Sequence, residues 1–299
     1  MEQTRWRWSH YLAGRLGDFL VKSIERSHLS NAIAETASEK SREQARKCLS
    51  LLKAMLEYAE ARGQIEDNPA TGIQPSKVGA LPARPRERHL DLEELRRLWA
   101  AIDQARLATS TAAALKLLIL TGQRRGELLQ ARWADIDLEK GVWALPAHTT
   151  KSHKAHTVYL SAPAIGLLRS LDRHREYVFP GRVESQPIGA QSLTTATLRL
   201  QGRKTKERDL EAPLGDMNPF SVHDLRRSVA TGLGEYCAVQ PHVIERMLNH
   251  ANENRLVDTY QRSTYEAEQR AAWQAWGELI DNQVARTRQN VVPMRRATE

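Results

Sequence analysis

The chain has 299 residues, 41% of them hydrophobic and 6% aromatic, enough for one or two ordinary cores. Its 44 lysines and arginines against 36 acidic residues leave a formal charge of +8, and a sequence pI near 9.6 points to a polyanionic partner. Two cysteines, Cys48 and Cys237, exclude a disulfide framework and a cysteine metal cluster, and the longest apolar run, Ala112 to Leu120, is interrupted by Lys116 and too short for a bilayer. With charge present from Glu2 onward, no signal peptide, no membrane segment and a cytoplasmic location are expected.

Residues 1–75 read as helices. Trp6, Trp8, Tyr11, Leu12 and Leu16, then Phe19, Leu20 and Ile24, have helix-like spacing, and a second run from Gln44 to Ala61 carries Ala45, Cys48, Leu51, Leu52, Met55 and Ala59. Gly63 is a left-handed stop for it and Pro69 prevents continuation. From Gly72 to His89 three prolines with Lys77, Arg84, Arg86 and Arg88 describe an extended basic connector with little to bury. The expected division is a helical domain over 1–75, a linker over 76–89, a second domain over 90–285 and a basic tail over 286–299.

The second domain opens at Asp91, with Glu94 completing a capping box before Leu95, Leu98, Trp99 and Ile102. The apolar helix around Ala112 to Leu120 stops at Gly122. Arg124 then begins a new turn, and Glu127, three residues on, faces the same way and braces its guanidinium. Alternating stretches at Trp133–Leu138, Val142–Leu145 and His156–Leu160 predict a small antiparallel sheet, with Lys151 in the hairpin loop between the last two. Gln201 to Arg208 is a polar basic loop holding Arg203 and Lys204. The segment Ala267–Ile280 is a closing helix whose Trp273 and Trp276 pack on their own domain or on a neighbouring subunit. The fold class is therefore mostly α with a small antiparallel sheet (α+β).

The stretch from Ser221 to Tyr260 organises the rest. Ser221 and Asp224 form a capping-box start, which puts His223 in the first turn of a helix, where free N–H groups favour an anion. Arg226 projects from the same face, and its planar fork can hold two phosphate oxygens. A further helix opens at Pro241, buries Val243, Ile244, Met247 and Leu248, and delivers His250 at its end; Tyr260 follows ten residues later. No GxxxxGK[ST] loop is present, so ATP is not indicated as an energy source.

TGQRRGEL, HDLRRSVAT, LNH and the following tyrosine, in this order, resemble the catalytic domain of the tyrosine recombinase, or phage integrase, family over about residues 88–280, and EYAEARGQIEDNPA resembles the end of that family's helical core-binding domain. The resemblance implies a site-specific recombinase that cuts and rejoins DNA. Arg124 and Arg226 would clamp the scissile phosphate, with His223 and His250 assisting proton transfer and Glu127 in support. Lys151 would protonate the departing 5′ oxygen while Tyr260 attacks to give a 3′-phosphotyrosine. It further implies duplex DNA as partner, a homotetramer on that DNA, a nucleoid location, and neither metal nor cofactor. Arg84, Arg86, Arg88, Arg203 and Lys204 are the expected DNA contacts. Asn249 stands where many relatives have glycine, and Tyr159 where proline is frequent. Lys154 and Lys204 are rivals to Lys151, and Tyr265 to Tyr260.

Two other readings remain at this stage. A metal-dependent phosphohydrolase would use His223 and Asp224 as ligands, and the pair His153 and His156 also has metal-binding residue types. A catalytically silent DNA-binding protein of the same fold is the other.

Overall fold

The computed structural model describes residues 2–82, 87–183, 185–203, 212–250 and 264–289, the side chains of residues 2 and 284–289 excepted. They fall into two units, Met1–Glu87 and Arg88–Glu299.

The first unit is all helical. Helix α1 (Glu2–Arg7), a π turn (Trp8–Leu12) and α2 (Ala13–Leu16) lead to α3 (Arg26–Glu39) and α4 (Arg42–Ala61). Helix α4 starts at Ser41, whose Oγ accepts the Gln44 N–H at 3.1 Å. Leu12, Leu16, Leu29, Ile33, Cys48 and Leu52 form the core. The helical spacing expected to run from Trp6 to Ile24 breaks after Leu16: Phe19 is 40% and Leu20 66% exposed, in a loop ahead of a short 3-10 turn, Val21–Ser23. Helix α3 escapes a sequence reading because its apolar face is thin, with Leu29 and Ile33 set among Ser, Thr and Ala. The extended connector also needs correction. Pro75–Val78 is a 3-10 turn; Ile73, Val78 and Ala80 are buried, and the Leu81 N–H bonds Arg42 O at 3.1 Å. Its first half therefore belongs to the first unit's core.

In the second unit, α5 (Leu92–Gln104) has the expected box, with the Glu94 N–H donating to Asp91 Oδ1 at 2.8 Å. Helix α6 (Thr109–Thr121) is buried nearly all round and is followed by α7 (Arg125–Leu129). Strands β1 (Ile136–Asp137), β2 (Val142–Leu145) and β3 (His156–Tyr159) make one antiparallel sheet in the order β1-β2-β3, with Val142 opposite Tyr159 and Leu145 opposite His156. Strand β1 is shorter than its alternation implies because Trp133–Asp135 forms a 3-10 turn. Then come α8 (Ala162–Arg169), α9 (Ala190–Leu200), α10 (Val222–Cys237), α11 (Pro241–Met247) and α12 (Glu266–Gln289).

Helix α12 packs on α5, α6, α8 and α10. Trp273 and Trp276 are 1% and 0% exposed, and Trp276 Nε1 donates to Ile119 O at 2.9 Å. Their apolar face is spent inside their own unit rather than offered to a neighbouring subunit. Gly232 makes room for this, since a Cβ there would overlap the Trp276 ring. Among the described residues, no helix is long and apolar enough to cross a membrane.

Candidate active site

The site grows from the turn between α6 and α7. Gly122 ends α6 at φ 56°, and a Cβ there would lie 2.9 Å from Val229 Cγ1 and 3.1 Å from Leu248 Cδ2, so both conformation and crowding call for glycine. The tight turn places Arg124 at the N-cap of α7. Its guanidinium donates to Glu127 Oε1 at 3.1 Å and to Asn249 O at 3.0 Å. Glu127, 3% exposed, also accepts the Lys151 N–H at 3.1 Å, so one carboxylate orients the arginine and pins the hairpin.

Arg226, buried on the second turn of α10, donates to Gly122 O at 2.8 Å and to Leu248 O. Burial, then repulsion from Arg124, pulls its pKa down to about 10, so it stays charged at neutral pH. The two guanidinium groups are neighbours because they end on the adjacent carbonyls of Leu248 and Asn249.

The end of α11 supplies a frame for both. Three successive carbonyls past its last hydrogen-bonded turn are gripped from outside. Met247 O accepts Gln123 Nε2 at 3.2 Å and faces His156 Nε2 at 3.1 Å; Leu248 O accepts Arg226; Asn249 O accepts Arg124. Such carbonyls carry the negative end of the helix dipole, and cations are what they favour. Asn249 turns the chain at φ 50°, the left-handed conformation that accounts for glycine being frequent there, and asparagine tolerates it. Its Oδ1 accepts Ser152 Oγ at 3.3 Å, a further tie to the Lys151 hairpin.

Both expected histidines stand at this frame. His223 lies in the first turn of α10, and its pKa is lowered by burial, Arg227 and Arg226. His250 also falls below its ordinary value, through burial and Arg226, against the pull of Glu245, whose Oε2 is 2.7 Å from Nδ1. In the neutral ring that carboxylate holds the proton on Nδ1 and leaves Nε2 as the basic edge. The ammonium of Lys151 makes no hydrogen bond or ion pair among the described residues and is exposed on its loop. A cleft of about 440 Å³ lies beside the arginines, walled by Gln123, Arg125, Thr194, Phe220, His223 and Arg226.

The structure thus unites Arg124, Glu127, Lys151, His223, Arg226 and His250. Tyr260 lies outside the described residues, as do Arg84, Arg86 and Lys204. Arg88, an expected DNA contact, pairs with Glu94 at 2.6 Å and donates to Asn218 O at 3.2 Å. Arg203 is exposed. Tyr265 packs its ring edge against His242, centroids 4.9 Å apart, and Lys154 sits on the outer limb of the hairpin.

Sequence reasoning missed Gln123, Arg125 and the inward role of His156; Arg125 donates to Thr194 Oγ1 at 2.7 Å. An HxV step at the start of a strand was the available signal for His156, but its partner is 91 residues away. As for metal, Asp224 accepts from Ser221 N and Oγ at 2.8 Å and from Arg227 at 2.9 Å, which commits it to capping α10 rather than to a ligand set with His223. Among the described residues no group of three His, Cys, Asp or Glu is placed to hold a metal ion.

As a class this is a mostly helical protein in which two arginines from distant helices are fixed side by side on the end of a third, with two histidines near them. The Phage integrase family model matches residues 88–267 and the Phage integrase central domain model residues 1–75, and the chain belongs to this family. It is 28% identical to the prophage integrase IntA of Escherichia coli K12 over 89% of this chain and 61% of that protein. With the integrase of Enterobacteria phage P4 it shares 26% identity over 91% of this chain and 62% of that one. The chain therefore spans about three-fifths of the length of these curated relatives. The fold also matches that of a lambda integrase tetramer bound to a Holliday junction, with a TM-score of 0.62 at 17% identity, over 85% of this chain and 72% of that one.

Proposed function

We propose that the protein is a site-specific DNA recombinase that cuts and rejoins strands through a 3′-phosphotyrosine intermediate. The observation that carries this reading is that Arg124 and Arg226 end on the adjacent carbonyls of Asn249 and Leu248, which sets two guanidinium groups side by side. Fixed donors of this kind are what a phosphodiester needs as charge gathers on its nonbridging oxygens during displacement.

The Tyr260 oxygen bonds to phosphorus while the bond from phosphorus to the 5′ oxygen breaks. The phenol proton passes to a neutral histidine, His223 or His250, both of which are held below their ordinary pKa. The ammonium of Lys151 gives a proton to the departing 5′ oxygen, and its loop is anchored for this by Glu127. Because the ester energy is kept in the covalent link, the reverse displacement by a 5′ hydroxyl reseals the strand without a nucleotide cofactor. The unit Met1–Glu87 acts as the core-binding DNA domain and Arg88–Glu299 as the catalytic one. The partner is duplex DNA, on which several protomers assemble, as in the tetrameric lambda integrase complex, and the protein resides with the nucleoid.

The test is a duplex with a nick placed to trap the intermediate. Wild-type protein should become covalently attached to DNA in the presence of EDTA, and Tyr260→Phe should bind DNA without forming the adduct. An adduct retained by Tyr260→Phe overturns the assignment of the nucleophile. Absence of any adduct from the wild type, with binding intact, leaves the catalytically silent DNA-binding reading in its place.

A further inference from the structure

Helix α9 has two working faces. Thr194, Thr197 and Leu198 border the catalytic cleft described above. The opposite face, with Ser192, Thr195 and Arg199, borders a second and larger cleft of about 770 Å³, whose other walls are the α5–α6 loop at Arg106 and the segment at Arg182.

This second cleft has the chemistry of an anion site. Arg106, Arg182 and Arg199 are all exposed, and none makes an ion pair or side-chain hydrogen bond among the described residues. The described lining contains no carboxylate. Elsewhere on this unit arginines are paired at short range: Arg88 with Glu94, Arg97 with Asp216, Arg132 with Glu176 and Arg169 with Glu139. Three unpaired guanidinium groups gathered in one concavity repel one another, and a polyanion relieves that repulsion. The hydroxyls of Ser110, Ser192 and Thr195 add donors suited to phosphate oxygens. The first turn of α9, capped by Gly189 without a side-chain bond, opens into the same space.

We propose that the cleft bounded by Arg106, Arg182 and Arg199 is a second phosphate-binding site, which takes backbone phosphates of the same duplex whose scissile phosphate is held by Arg124 and Arg226. This rests on the recombinase reading. One helix separates the two clefts, a width of roughly 10–12 Å. A duplex carries a charge about every 1.7 Å along its axis, so its phosphates are spaced finely enough for one duplex to serve both clefts. The site fixes how the DNA lies across α9 and takes no part in the chemistry.

Counterion release gives a quantitative test. Binding of the full-length chain to a long mixed-sequence duplex is measured across a salt series for the wild type and for Arg106→Gln/Arg182→Gln/Arg199→Gln. Loss of three phosphate contacts should flatten the slope of log affinity against log salt by roughly 2.7, so that the affinity lost between about 50 and 200 mM salt shrinks roughly 40-fold. The triple lysine variant, which keeps the charge, should keep the wild-type slope. The three side chains are exposed, so neither variant opens the core. A glutamine variant with an unchanged slope, beside a steep wild type that still forms the covalent adduct, overturns the second site and leaves the recombinase reading intact. A flat response in the wild type removes both.

Discussion

His156 is a part-buried titratable ring whose worth can be worked out in advance. Its pKa drops from 6.5 to about 4 because burial outweighs the bond to Met247 O, and Arg226 and Arg124 oppose the charge further. The native ring is therefore neutral where the unfolded chain's is already protonated. Above pH 6.5 both states are neutral and there is no penalty. As pH falls, the unfolded state gains protons that the native state refuses, and stability is withdrawn until the native ring also titrates near pH 4. At about 1.36 kcal/mol per pKa unit, this costs about 2 kcal/mol between pH 7 and 5 and about 3 kcal/mol once complete. For a unit of this size that is a fall in Tm of about 4–8 °C. His156→Gln keeps an N–H for the Met247 carbonyl but cannot titrate, so the comparison isolates the ring while His223 and His250 contribute alike to both proteins. Urea denaturation at pH 7 and pH 5 should show the variant losing about 2 kcal/mol less than the wild type. Equal losses in the two proteins would mean that the ring is charged or solvated in the fold, and the account of its burial would fail.

Two substitutions probe the frame and the packing behind it. Arg226→Lys puts one ammonium where a fork spans Gly122 O and Leu248 O; adduct formation on the nicked duplex should slow on the order of a hundred-fold or more, and an undiminished rate would remove Arg226 from the phosphate clamp. Gly232→Ala drives a methyl into Trp276 and should cost about 1–3 kcal/mol in urea denaturation, whereas Gly166→Ala in α8, with nothing within 4 Å of the added carbon, should not destabilise.

Local chemistry was readable where a residue and its partner lie within one or two turns. The boxes at Asp91 and Ser221, the stop at Gly122, the brace from Glu127 and the start at Pro241 all stand as their spacing implies. Long-range partners were not. Nothing near Arg124 in the chain announces that its guanidinium ends on the Asn249 carbonyl, 125 residues on. The same holds for His156 and Met247. Helices α8 and α9 have weak sequence signals because α8 is only eight residues long and α9 mixes its few leucines with threonines and alanines. Proline content made the stretch after Gly72 look extended, yet proline at the first position of a 3-10 turn is compatible with packing, and Val78 follows it into the core. Tyr260, the proposed nucleophile, lies outside the described residues, so its part is carried by sequence alone.

The grip on Met247, Leu248 and Asn249 ties the alignment of the two arginines to the completed fold. Gln123, Arg124, His156 and Arg226 come from three distant parts of the polypeptide, and each has a partner on the finished end of α11. A half-folded chain has no such end to grasp, so its two arginines are not aligned with each other. The aligned pair of arginines therefore arrives together with the completed fold, which would confine the proposed strand cleavage to fully folded molecules.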